Sequence, residues 1–192
     1  MKTTDATKLS DEELVQRIVQ KNDTHLFAIL YDRYGRVVYN KCYGFSKSKE
    51  EAQDLAHDVF VQLFVKIRMF KGKSKFSTWL YSFTYNFCVN YVQRNSAKKQ
   101  EKNTVVKDEI RDEDINDDQL DDDTSLFTMK SDLLAKALEI IDPADKMILL
   151  MKYQDDMSVK DIQEALDIGQ SATKMRLKRA KEKVIKAYNE LT

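Results

Sequence analysis

Lys174, Arg176, Lys178, Arg179 and Lys181 crowd one short segment near the end of the chain. Among them Thr173, Leu177, Ala180 and Val184 recur at helical spacing. The segment therefore predicts a helix from Ser171 to about Tyr188, with one inward stripe and a basic remainder. A helix of ~17 residues spans ~25 Å, and the major groove of duplex DNA is wide enough to admit one. The free N–H groups at its Ser171 end suit a phosphate. Just upstream, Ser158 with Asp161 caps a helix through Leu166, and Asp167-Ile168-Gly169-Gln170 forms a short turn. A short helix, a turn containing glycine and a longer basic helix have the dimensions of a helix-turn-helix. A basic face alone is also what many solvated helices carry.

A second cationic stretch runs from Lys66 to Gln100. It holds Lys66, Arg68, Lys71, Lys73, Lys75, Arg94, Lys98 and Lys99 and no Asp or Glu. Aromatic residues are interleaved: Phe70, Phe76, Trp79, Tyr81, Phe83, Tyr85, Phe87 and Tyr91. Single-stranded nucleic acid is held by cations along its backbone and aromatic faces under its bases. Helical spacing assigns Trp79, Phe83, Phe87 and Tyr91 to packing. Phe76, in a loop with Lys73 and Lys75, is then the better candidate for touching a base. Asn86 and Asn90 stand one turn apart, where their amides could read base edges.

Other chemistry finds little support. His25 and His57 are the two histidines, and neither sits in a catalytic or metal-binding pattern. There is no phosphate-cradling glycine loop and no G-x-S-x-G. Asp54 and Asp58 form an i, i+4 pair without a second pair of ligands, so no metal and no cofactor is implied. Cys42 and Cys88 match no metal-ligand spacing and read as two buried thiols in a reducing compartment. An enzyme is not expected.

The elements that must carry these residues are helices. With Gly 4 and Pro 1 in 192 residues, strand-rich folds lack the turns they need, and no strand pattern appears. Ser10 with Glu13 and Ser48 with Glu51 read as capping boxes. The second opens the clearest amphipathic helix, with Ala52, Leu55, Ala56, Val59, Phe60, Leu63 and Ile67 on one face. Asp54, Asp58 and Gln62 lie opposite. Ser77 or Thr78 is expected to cap a further helix with the stripe Leu80, Phe83, Phe87 and Tyr91. Leu133, Leu134, Ala137, Leu138 and Ile141 mark another, and Asp142-Pro143 opens the next. The fold class is all-α, with two small helical domains, residues 1–97 and 131–192, the second containing the helix-turn-helix. Residues 98–130 form an acidic flexible linker, because a stretch so rich in Asp and Glu buries too little apolar surface to order itself.

The net charge of +0 hides a segregation into blocks, which point to partners better than the total does. The N-terminus shows no secretory signal, and no stretch approaches the ~20 apolar residues of a membrane span. Cytoplasmic location without membrane insertion is the expectation.

The run EEAQDLAHDVFVQLFVKI followed by FKGKSKFSTWLYSFTYNFCVNYVQR resembles the promoter-melting domain of extracytoplasmic-function (ECF) sigma factors, members of the sigma-70 family of bacterial RNA polymerase. The run IDPADKMILLMKYQDDMSVKDIQEALDIGQSATKMRLKRAKEKV resembles their second, DNA-binding domain. The resemblance implies a factor that binds core RNA polymerase and directs initiation by recognising and opening promoter DNA. Asp54, Asp58 and Gln62 would dock on the β′ clamp helices of the polymerase, whose β subunit is a further expected contact. The loop Gly72–Phe76 with Lys73 and Lys75, and the helix through Asn86 and Asn90, would capture unpaired minus-ten bases. Ser171, Lys174, Arg176, Lys178 and Arg179 would read the minus-thirty-five duplex. An anti-sigma factor is a further implied partner. His57 stands where the family often has Gln, Ala172-Thr173 replaces the usual Thr-Val, and Tyr85 replaces the arginine common before the helix Asn. Two rivals remain: a dimeric helix-turn-helix regulator on a palindrome, and a helical adaptor without nucleic acid.

Overall fold

The computed structural model describes residues 6–21, 23–100 (98–100 as backbone only), 126 and 129–192. Among these residues every regular element is helical. By internal contact the chain divides into two compact units, Met1–Asn90 and Tyr91–Thr192. The expected acidic linker lies almost wholly outside the described residues.

The first unit is built from α1 (Asp11–Lys21), α2 (Thr24–Tyr43), α3 (Lys49–Lys66) and most of α4 (Phe76–Gln100). The expected capping box opens α1: Glu13 N–H donates to Ser10 Oγ at 3.2 Å and Ser10 N–H to Glu13 Oε2 at 2.9 Å. These bonds, the one from the Ser10 backbone foremost, hold the Glu13 carboxyl below its ordinary pKa. Ser48 caps α3 by accepting from Glu51 N–H at 3.1 Å. Glu51 reaches back to Lys47 N–H rather than to Ser48, a variation on the box. All seven residues expected on the inner face are buried: Ala52, Leu55, Ala56, Val59, Phe60 and Leu63 on α3, and Ile67 in the 3-10 turn that follows it.

Asp11 ties α1 to α2. It accepts from Arg33 Nη1 at 2.5 Å and from the Tyr34 hydroxyl. Burial and that bond to Asp11 push the Tyr34 phenol well above its ordinary pKa. Glu12, one residue on, accepts the Phe76 N–H at 2.9 Å. The first N–H of α4 is thus satisfied by a carboxylate from α1, and the helix starts at Phe76, ahead of the expected caps Ser77 and Thr78.

Two expectations for α4 are corrected. Phe76 is no loop residue; it is 0% exposed, with its ring 5.7 Å from Tyr34, 5.4 Å from Phe70 and 5.9 Å from Trp79. The inner stripe is Phe76, Leu80, Thr84, Tyr85, Cys88 and Val89, whereas Trp79, Phe83, Phe87 and Tyr91 stay partly exposed. The physical reason is that rings and polar residues alternate round α4, so its periodicity singles out no face. Its rotation is set by what it meets. Lys41 of α2, only 2% exposed, lies 4.1 Å from the centroid of the Tyr81 ring and 4.6 Å from that of Tyr85, with Nζ 3.3 Å from the Tyr85 hydroxyl. A buried ammonium requires such π faces and hydrogen-bond partners.

The second unit holds α5 (Ser131–Ile140), α6 (Pro143–Leu149), α7 (Val159–Leu166) and α8 (Gln170–Glu190). Asp142 caps α6 by accepting from Ala144 N–H at 2.8 Å, with Pro143 in the first turn as expected. A single π-helical turn, Leu150–Gln154, continues α6 and closes with Asp155 N–H on Leu150 O at 3.0 Å. The core gathers Ala137, Met147, Ile148, Leu149, Met151 and Ile162 around the inner stripe of α8.

Truncation of Phe76 separates core from surface roles. Phe76→Ala should cost ~3–5 kcal/mol of stability, as for a buried aromatic. A urea midpoint unchanged from the parent chain would contradict the core placement.

Candidate nucleic-acid interface

The helix-turn-helix forms as its residues dictate. Ser158 Oγ accepts Asp161 N–H at 3.1 Å and Asp161 Oδ2 accepts Ser158 N–H at 3.0 Å, a complete capping box for α7. Asp167 ends α7 in the left-handed region at φ 53°, which Asp tolerates better than most residues. Gly169 is the cap of α8, so that helix begins at Gln170, one residue before expected. Thr173 turns its hydroxyl back to Gly169 O at 3.0 Å and packs inward. With Leu177, Ala180 and Val184 it forms the buried stripe read from the sequence, extended by Ala187. Ser171 and Arg176 are exposed, and Lys174, Lys178 and Arg179 are half-buried on the remaining surface. Lys183 anchors the later turns of α8 by a 2.5 Å ion pair to Asp145 in the first turn of α6. Away from those cations, Leu134, Leu138, Leu149, Leu150, Tyr153 and Val184 line an apolar hollow.

In the first unit the loop between α3 and α4 presents Lys71, Lys73 and Lys75, all exposed. Gly72 holds φ 69° there, a conformation that side chains disfavour. Next to this loop α4 shows a face that sequence reasoning missed. Trp79 stacks on Phe83 at 5.5 Å with planes 26° apart, and Phe70 continues the group 5.6 Å from Trp79. Trp79, Phe83, Asn86 and Asn90 follow i, i+4, i+7, i+11 and so share one side of the helix. Asn86 and Asn90 are exposed, with Asn86 Nδ2 3.4 Å from Ser82 Oγ. The signal that could have revealed this was the shared spacing of the ring residues with the two asparagines. The structure thus exposes Lys73, Lys75, Asn86 and Asn90, and it withdraws Phe76.

On α3, Asp54 and Asp58 are exposed and Gln62 is partly so. The same side carries Val61 at 48%, Val65 at 66% and, just past the helix, Met69 at 64% exposure. This apolar extension of the acidic face was not read from the sequence. Beside it, Tyr31, Arg36, Tyr39, Gln53 and His57 line a groove between α2 and α3. Among the described residues no three His, Cys, Asp or Glu side chains gather as a metal site, and no helix is long and apolar enough to cross a membrane.

A two-unit helical protein with a helix-turn-helix and a basic, ring-lined helix defines a class of DNA-binding protein, and comparison with known proteins narrows it. Residues 30–98 match the family model for sigma-70 region 2, and residues 131–184 match that for sigma-70 region 4. The chain is similar to the ECF RNA polymerase sigma factor SigW of Bacillus subtilis, 26% identical over 177 residues, 90% of this chain and 94% of that protein. It is 27% identical to the ECF RNA polymerase sigma-E factor of Haemophilus influenzae over 185 residues, 93% of this chain and 95% of the other. Its fold resembles that of CnrH in complex with the cytosolic domain of CnrY, at TM-score 0.61 and 15% identity over 95% of this chain and 99% of that one. The sigma factor RpoE of Bartonella quintana, in complex with the anti-sigma factor NepR, aligns at TM-score 0.58 and 15% identity, over 85% and 96% of the two chains. The chain belongs to the ECF sigma factors of the sigma-70 family, non-enzymatic proteins that direct promoter-specific transcription initiation by RNA polymerase.

The left-handed turn gives a direct check on the geometry of the helix-turn-helix. Asp167→Gly should keep or raise the thermal midpoint, while Asp167→Ile should lower stability by ~1–2 kcal/mol. Equal melting of both variants by circular dichroism would refute the conformation assigned to the turn.

Proposed function

We propose that the two units divide the work of initiation. In this reading residues 1–97 bind core RNA polymerase and capture the unpaired minus-ten strand. Residues 131–192 hold the minus-thirty-five duplex, and residues 98–130 tether the two. Lys174, Arg176, Lys178 and Arg179 contact phosphates and base edges from α8, with Ser171 at its positive end. Lys73 and Lys75 neutralise the single strand, and Asn86 and Asn90 read bases laid against Trp79 and Phe83. The observation that carries this reading is the partly exposed Trp79–Phe83 stack beside a lysine loop and two outward amides, an arrangement suited to unstacked bases. Phe76, sealed in the core, has no part in it.

Asp54, Asp58 and Gln62 dock on the β′ clamp helices, supported by the exposed Val61, Val65 and Met69 along the same side. The apolar hollow of the second unit offers a seat for a helix of the β subunit. An anti-sigma factor is a further partner, since the sigma factor RpoE is solved with one. The site of action is the cytoplasm. No covalent step falls to this chain; unpairing costs a few kcal/mol per base, and stacking worth ~1–3 kcal/mol per base offsets it.

Run-off transcription with purified core polymerase tests the whole reading: the chain should add promoter-dependent product, and none with any promoter would end it. Asp54→Ala should weaken capture by core polymerase in a pull-down while leaving duplex binding by the second unit intact. Lys174→Ala and Arg176→Ala should each weaken minus-thirty-five binding and flatten its log–log salt slope by ~0.9 per lost phosphate contact. Unchanged slopes would remove these side chains from the DNA.

A further inference from the structure

The proposed contacts leave one pair of reactive groups unused. Cys42 lies in the last turn of α2 and Cys88 in the middle of α4, and both are 0% exposed. Their sulfur atoms are 3.8 Å apart, with the Cys88 thiol directed at Cys42 Sγ. Nothing in their separation along the chain announces this meeting. A disulfide has an S–S distance of ~2.05 Å, so each sulfur need move only about 0.9 Å, within reach of a side-chain rotation.

The surroundings bear on reactivity. Contact with Cys42 and burial push the Cys88 thiol up, and the neighbouring charge of Lys41 draws it down. At rest the pair is held as thiols, protected from bulky reagents. A small oxidant reaches a buried pair by local opening of the fold.

We propose that Cys42 and Cys88 are a reversible dithiol–disulfide pair, oxidised by small hydroperoxides and restored by thiols, whose closure fixes α4 against α2. One sulfur attacks a peroxide oxygen; the S–O bond forms, the O–O bond breaks, and the leaving hydroxide departs as water with that thiol's proton. The second sulfur then attacks the sulfenic sulfur; the S–S bond forms, the S–O bond breaks, and a second water carries off the other proton. The two sulfurs lose two electrons and the peroxide gains them. Cys88 faces inward, on the side of α4 opposite Asn86 and Asn90, so a covalent tie there fixes the rotation of α4 and with it how its outer face meets DNA. The effect on transcription rests on the base-capture reading; the disulfide itself does not.

The full reduced chain is treated with hydrogen peroxide, cleared of it, unfolded and labelled with maleimide. Both cysteines should lose their label together in a monomer, the mass should fall by two hydrogens, and dithiothreitol should restore both adducts. Cys42→Ser should prevent the loss of label at Cys88 by disulfide formation. Two adducts surviving oxidation, oxygen added to one sulfur alone, or a bond between two chains would each overturn the proposal. In run-off transcription the oxidised chain should yield less product than the reduced one, and the Cys42→Ala/Cys88→Ala chain should yield the same in both conditions. Equal yields from the parent chain would overturn the coupling to α4. No product from either state would instead sink the transcription reading and leave the disulfide to be judged on thiol count.

Discussion

A cation enclosed between α2 and α4 is the constraint from which the first unit follows. Lys41 is 2% exposed, and an ammonium that far from water needs hydrogen-bond partners and electron-rich faces. Tyr81 and Tyr85 supply the faces, and the Tyr85 hydroxyl supplies a bond. Both rings belong to α4, so α4 must turn them toward α2. Once it does, Phe76, Leu80 and Cys88 point inward with them, and Trp79, Phe83, Asn86 and Asn90 are left on the outside. The outer face of α4, with Trp79, Phe83, Asn86 and Asn90, is therefore a consequence of how the interior of this unit is satisfied.

The second unit orients its basic helix by local means. A capping box at Ser158, a left-handed Asp167 and a hydroxyl turned back at Thr173 set the angle and start of α8 within a few residues of chain. The buried stripe of α8 then holds the helix, and the Lys183–Asp145 pair sits where its turns pass the start of α6. Such a module needs little from the rest of the chain to present its cations.

The difference between α3 and α4 shows what makes a helix legible. In α3 Ala52, Leu55, Ala56, Val59, Phe60 and Leu63 form one continuous stripe opposite Asp54, Asp58 and Gln62, so the inner face could be read residue by residue. In α4 rings occur all round, and two stripes one residue apart, through Leu80 and Thr84 or through Phe83 and Phe87, compete on equal terms. Apolar character alone cannot separate them. The outward valines and methionine after Asp58 escaped notice for a related reason, because an apolar residue is normally assigned inward.

By itself the sequence determined the helical class, the caps at Ser10, Ser48, Asp142 and Ser158, the inner faces of α3 and α8, and the segregation of charge along the chain. These depend on interactions within a few residues, where side-chain type and spacing are sufficient. Tertiary structure alone decided the rotation of α4, the carboxylate of Glu12 at its first N–H, the burial of Phe76 and the meeting of Cys42 with Cys88. Each of these joins residues far apart in the chain, and such pairings are selected by three-dimensional packing, which no local periodicity encodes.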